Sequence, residues 1–200
     1  MTYPQFFNNI PTIKLQDELA SFLGAFEDGI IEFSYLDVVK SAGHSCPTVL
    51  GAYLMSLQGL KALYENDLPK RGQIIVDFKE AQNIGVAGVI GNVIMNITGA
   101  TTNNGFKGIS GKFDRNHLMK FEQDINGASV RFTRIDTQKS VDVFYDASSV
   151  KAHEDMNFLM QKSFQGTATI EEKIEFGKLW QKRVEDISNS INEVIKVNPL

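Results

Sequence analysis

The chain has 200 residues, 42% of them hydrophobic and 22% charged, enough apolar material for a sizeable core in a single soluble globular unit. Twenty Lys and Arg against 24 Asp and Glu give a net charge of −4 and a pI near 5.4, with no cluster of basic residues to track a phosphate backbone, so no nucleic acid partner is expected. A single cysteine cannot close an internal disulfide, and the N-terminus lacks a basic segment followed by an apolar one. The longest apolar run, Ile84 to Ile97, is interrupted by Asn92, Asn96 and glycines, so no membrane span is expected and a cytoplasmic location is.

Between prolines, Phe6, Phe7 and Ile10 suggest an arm that docks aromatics on the core or on a neighbouring subunit, or else a loose tail. Leu15, Leu19, Phe22, Leu23 and Phe26 then recur at spacings of three and four, predicting a helix over Lys14 to Phe26 that stops at Glu27-Asp28-Gly29. From Pro47 to Tyr64 a stripe of Leu50, Tyr53, Leu54, Leu57, Leu60 and Leu63 predicts a core helix, with Gly51 and Gly59 admitting a close neighbour. Gln73 to Glu80 reads as a strand, and Gly85 to Gly99 as a glycine-interrupted helix against which something presses. Its G-x-x-G-x-x-G spacing is not the dinucleotide fingerprint.

Asn126-Gly127 is a strong hairpin signal between two alternating stretches, His117 to Glu122 and Ala128 to Ile135, with a further strand at Val141 to Tyr145. Beyond Ser148 helix formers dominate. Val150 to Phe164 and Thr169 to Ile195 are predicted helices, the second opened by a Thr169/Glu172 capping box. The organisation read from this order is a core of helices and strands with an N-terminal helix over residues 1–150 and a helical extension over residues 151–200.

The chemistry centres on Ala42-Gly43-His44-Ser45-Cys46-Pro47-Thr48. Pro47 has a fixed φ and no N–H, which suits the first turn of a helix, so Cys46 falls at that helix's N-terminal end. Unpaired N–H groups and the positive end of the helix dipole favour an anion there, and with it the thiolate. His44 lies two residues earlier on an extended approach and can point to the same side, so imidazole and sulfur could share a metal ion. Read as a structural pair instead, a lone Cys is a small buried hydrophobe and a lone His bonds a backbone carbonyl. His117 is a candidate third ligand, with a cross-strand structural role as its alternative, and a carboxylate such as Glu80 is another way to complete the set. The polar loop from Thr98 to Gly105 is turn chemistry unless it folds back toward His44 and Cys46, where its donors could hold a substrate oxygen.

The segment Ala42 to Arg134 resembles the FmdE family, proteins found with molybdenum formylmethanofuran dehydrogenase. Gly43-His44-Ser45-Cys46-Pro47 with Gly51 looks like the family's G-H-x-C-P-x-x-x-G opening, and Asn92 to Thr101 is similar to its D-A-I-Q-x-x-T-G-C-T run. The resemblance implies an α+β core with a mixed or antiparallel sheet packed against helices, a homodimer, and a cavity near the H-x-C motif that can hold a metal. It places His44 and Cys46 at the family's own His and Cys, and makes Asn92, Thr98 and Thr101 candidate substrate-binding residues. The chain departs from the pattern at Ala42, where members often carry a His, and at Asn92, where they have an acidic residue. Cysteines are missing at Ala100 and near Val89, and Asn116-His117 stands at the family's G-K pair. No cysteine follows Cys46, so the cysteine-rich zinc module of some members has no counterpart.

Three functions compete. The first is a metal-binding domain, zinc or another divalent transition metal, with His44, Cys46 and His117 as ligands, acting on or binding a small molecule in one-carbon or molybdoenzyme-linked metabolism. The second is a non-enzymatic accessory protein that has lost part of the family's site and binds a ligand or partner. The third is a thiol enzyme with Cys46 as the catalytic nucleophile beside His44.

Overall fold

The computed structural model describes residues 2–200. At its centre is α3, Pro47–Tyr64, which begins where the sequence places it because Pro47 occupies the first turn and Cys46 caps it. It is buried on nearly every side rather than along one stripe, with Val49, Leu50, Tyr53, Leu54 and Met55 all out of solvent. Sequence periodicity registers only one of those faces. The others are covered by α2 (Tyr35–Ala42), α4 (Ala87–Thr98), α6 (Ile170–Asn189) and a sheet.

That sheet has the order β4-β3-β5-β6-β7, from Met119–Lys120, Ile74–Asp77, Val130–Arg134, Ser140–Tyr145 and Ile195–Pro199. The β3/β4 pair is parallel and the rest are antiparallel, which makes the sheet mixed and the molecule α+β, as expected. Alternate residues Val130 and Phe132 of β5 are buried, the period-two pattern of a sheet covered by a helix, and so are Val141 and Val143 of β6, where Asp142 between them is buried too in its pair with Arg131. The close approach is real: a Cβ on Gly51 would lie 2.4 Å from the Tyr145 ring, and one on Gly59 2.7 Å from Phe132.

Three expectations give way to the tertiary structure. The predicted helix over Lys14 to Phe26 divides into β1 (Ile13–Gln16), paired with β2 (Ile30–Phe33), and a single turn, α1 (Glu18–Phe22). Asp17 is the reason. It caps α1, while its carboxylate takes Arg71 Nη1 at 2.8 Å and Arg115 Nη2 at 2.7 Å, so the chain must turn there. Ile13 and Leu15 point inward at strand spacing, and Phe22, Leu23 and Phe26 are left exposed. Asn126 and Gly127 do adopt left-handed φ of 54° and 79°, but β3 lies between the stretches they connect, and β5 instead forms its hairpin with β6. At the C-terminus α6 stops at Asn189, a short α7 (Ile191–Val194) follows, and Ile195 onward becomes β7 on the edge of the core sheet. The N-terminal arm docks as one of its readings has it, with Phe6, Phe7 and Ile10 buried and Phe7 edge-on to Tyr35.

Candidate functional site at the mouth of α3

The H-x-C loop exists because two helices end and begin within five residues. α2 opens with a capping box between Ser34 and Asp37 and stops at Gly43, whose φ of 76° reverses the chain at little cost for a glycine. His44 to Cys46 then runs extended into the first turn of α3, so His44 and Cys46 face one way and Ser45 the other. Ser45 is buried, its hydroxyl 2.9 Å from Tyr35 Oη. Its carbonyl accepts from Trp180 Nε1 at 3.0 Å and Gln181 Nε2 at 3.2 Å, both on α6. Two residues further, the Pro47 carbonyl accepts from Tyr145 Oη at 2.8 Å. Burial holds both phenols protonated: it pushes Tyr145 up to about 12 and Tyr35 well above its ordinary value, against the pull of the Ser45 hydrogen bond.

On the outward side, His44 Nδ1 lies 3.0 Å from the Ala42 carbonyl. A carbonyl only accepts, so in the neutral imidazole Nδ1 carries the proton and Nε2 presents its lone pair. That lone pair faces Cys46 Sγ at 3.5 Å, and the sulfur also accepts from the Val49 N–H at 3.4 Å. The structural reading of His44, a bond to a backbone carbonyl, is therefore true of one nitrogen and frees the other. Two ligands of a tetrahedral zinc, at about 2.3 Å for sulfur and about 2.05 Å for nitrogen, stand roughly 3.6 Å apart, so the separation of the pair matches one edge of such a site, as it also matches a direct hydrogen bond from the thiol to Nε2. Among the described residues no group of three or more His, Cys, Asp or Glu lies close enough to close a site.

Two cavities meet at His44. One, about 220 Å³, lies between α2 and α4 and is lined by Ser41, His44, Asn92 and Asn96, with Asn96 Nδ2 donating to Ser41 Oγ at 2.7 Å. The other, about 440 Å³, lies between the His44-Ser45 loop and the α5/α6 pair, where α5 is Met156–Phe164; Met160, Phe164, Phe176 and Trp180 form its walls.

Of the candidate residues, the structure brings Asn92 to His44 across the smaller cavity. Thr98 and Thr101 are buried with hydroxyls spent on backbone: Thr98 Oγ1 donates to the Ile94 carbonyl at 2.7 Å, and Thr101 Oγ1 to the Arg115 carbonyl at 2.7 Å. His117 is exposed at a left-handed φ of 59° before β4 and lines neither cavity on His44. Glu80 is exposed, three residues beyond the end of β3. Sequence reasoning missed Trp180, Gln181, Tyr35 and Tyr145. Trp180 and Gln181 stand 135 and 136 positions from Ser45, and no local pattern announces such a contact.

Fold and site together define an α+β protein that presents a His–Cys pair at the N-terminus of its central helix. The family model described as FmdE, molybdenum formylmethanofuran dehydrogenase operon, matches residues 42–196, and the chain belongs to the FmdE family. The match runs from the H-x-C loop through the C-terminal helices into β7. Among solved structures, an FmdE-like protein from Syntrophus aciditrophicus, described as of the tungsten formylmethanofuran dehydrogenase, is similar at 14% identity and a TM-score of 0.46, over 84% of this chain and 72% of that one. No curated protein matches the chain by sequence.

Proposed function

We propose that this FmdE-family protein binds a divalent transition metal, zinc by donor type, on the edge formed by His44 Nε2 and Cys46 Sγ, and holds a small molecule beside it. The observation that carries this reading is the 3.5 Å separation of the two donors, with His44 Nδ1 tied to the Ala42 carbonyl so that Nε2 is free. Imidazole and thiolate are borderline-soft donors that suit zinc, and a second hydrogen bond to the ligating His is the usual orienting contact. With one edge supplied by His44 and Cys46, the remaining positions are left to solvent or substrate, and a zinc ion held this way would supply Lewis acidity toward a carbonyl or bound water. Asn92, across the smaller cavity, is the residue placed to orient such a substrate. The setting we propose is one-carbon, molybdoenzyme-linked metabolism, supported by the family's description. A homodimer belongs to the same proposal, supported by the apolar group Phe22, Leu23 and Phe26 left exposed beside α1, with Phe22 and Phe113 ring centroids 5.5 Å apart.

Metal analysis of protein purified without chelator tests the reading. About one zinc per chain is expected, falling by at least tenfold in Cys46→Ala and in His44→Ala. A near-zero content in all three proteins would overturn it.

Two other readings keep specific support. A non-enzymatic accessory protein is favoured by the two-donor site, since no third ligand closes it among the described residues; it predicts a stable partner and no response to metal. A thiol nucleophile at Cys46 is favoured by the same dyad, in which His44 lies against the sulfur and is itself oriented by the Ala42 carbonyl. That reading predicts rapid alkylation of metal-free protein at neutral pH, lost when His44 is replaced.

A further inference from the structure

The larger of the two cavities has a composition the metal pair does not explain. No Lys, Arg, Asp or Glu lines it among the described residues, although α6 carries such residues along its length. Its walls are Met160, Phe164, Phe176 and Trp180, the Phe176 and Trp180 rings lying 5.7 Å apart and inclined by 48°. His44, Ser45, Ser163 and Gln181 supply its polar lining. At about 440 Å³ it lies within the range of small-molecule sites, which are commonly apolar with a few polar groups at one end.

Gly177 is the second observation. It sits inside the 20-residue helix α6, where glycine is less stable than alanine, and it lines this cavity. Gly51 and Gly59 are explained by rings pressed against them, whereas a Cβ at Gly177 would meet nothing within 4 Å. No contact within the described chain requires a glycine there.

We propose that the cleft between α5 and α6 binds an uncharged, planar aromatic group of one or two rings, with its polar end directed at His44. Flat rings suit the cleft because offset and edge contacts with Phe176 and Trp180 reward them over saturated groups of equal size. A charged body is disfavoured because no charged side chain lines the cleft to offset its desolvation. The proposal deepens the reading of His44 as part of a small-molecule site, and it rests on that reading only for the ligand's polar end.

Trp180 is the sole tryptophan of the chain, so its emission reports on this cavity without engineering. Chelator-treated protein titrated with 2-naphthol, with absorption by the ligand corrected, is expected to show saturable quenching. Decahydro-2-naphthol, the saturated skeleton, is expected to compete at least tenfold more weakly. Gly177→Leu fills open space on a helix it should strengthen, so its melting temperature is expected to hold or rise while naphthol affinity falls at least tenfold. Should that variant fail to melt cooperatively, Phe164→Ala replaces it, since the Phe164 ring is 83% exposed and contributes little to the fold. Absence of saturable quenching, equal affinity for the saturated analogue, or unchanged affinity in the folded cavity variant would each overturn the proposal. Cys46→Ala separates it from the metal reading: naphthol binding is expected to survive there while metal content is lost.

Discussion

Gly51 shows how a single hydrogen atom positions the site. Its missing Cβ leaves room for the Tyr145 ring, and that ring cannot retreat because its hydroxyl is bonded to the Pro47 carbonyl, beside Cys46. Gly51→Ala should therefore cost about 1–3 kcal/mol by overpacking, read by denaturant unfolding, although alanine is the better helix former. Asp17 is the other decisive residue. Burial alone would raise its carboxyl, but the hydrogen bond from Arg71 and the charge of Arg115 outweigh burial and hold it below 3.8. A depressed folded value means that its contribution is present above the unfolded value and is lost as pH falls through the folded one. Asp17→Asn leaves two largely buried guanidiniums without their carboxylate and should cost roughly 3 kcal/mol or more at pH 7, with a shallower loss of stability below pH 4 than wild type. Urea melts at pH 7 and across pH 2–5 would show both.

At the scale of elements, the site depends on α6 holding the loop between α2 and α3. Trp180 and Gln181 both donate to one carbonyl, that of Ser45, while Tyr35 holds the Ser45 hydroxyl from the core. Trp180→Phe keeps a ring but removes one donor, and about 1 kcal/mol of stability should go with it. Faster hydrogen exchange at Ser45 and Cys46 is the expected signature, with α3 itself unchanged. Elements that declare their own ends were legible beforehand: Pro47 opens α3, and Thr169 with Glu172 forms the capping box on α6. Elements defined by distant partners were not. The Asn126-Gly127 turn forms as its residues dictate, yet β3, arriving from far upstream in the chain, takes the place beside β5 that the local pattern assigns to the preceding stretch.

The whole molecule is tied together at its C-terminus. β7 pairs with β6 from Ile195↔Tyr145 to Pro199↔Val141, which places Ile195 opposite the Tyr145 that packs on Gly51. Removing residues 195–200 deletes Ile195 and Val197 from the core, uncovers the apolar side chains they pack against, and should lower stability by about 2–4 kcal/mol, visible as a lower thermal midpoint. The exposed Phe22 and Phe26 bear on assembly. If they form a dimer face, Phe22→Ser with Phe26→Ser should yield a monomer by sedimentation with an unchanged thermal midpoint at low concentration, and a wild-type protein already monomeric at micromolar concentration would remove that face from consideration.

What the sequence by itself determined is the chemistry at the start of α3: proline, cysteine and a histidine two residues before are adjacent in the chain, so local backbone geometry alone turns imidazole and sulfur to one side. Helical and alternating periods, which are properties of single segments, marked out many of the individual elements, and the motif resemblance carried the α+β class. Only the tertiary structure decided what surrounds that pair. The α6 donors, the two cavities and the separate station of His117 all depend on which surfaces pack together, and packing is settled by the summed burial of residues far apart in sequence.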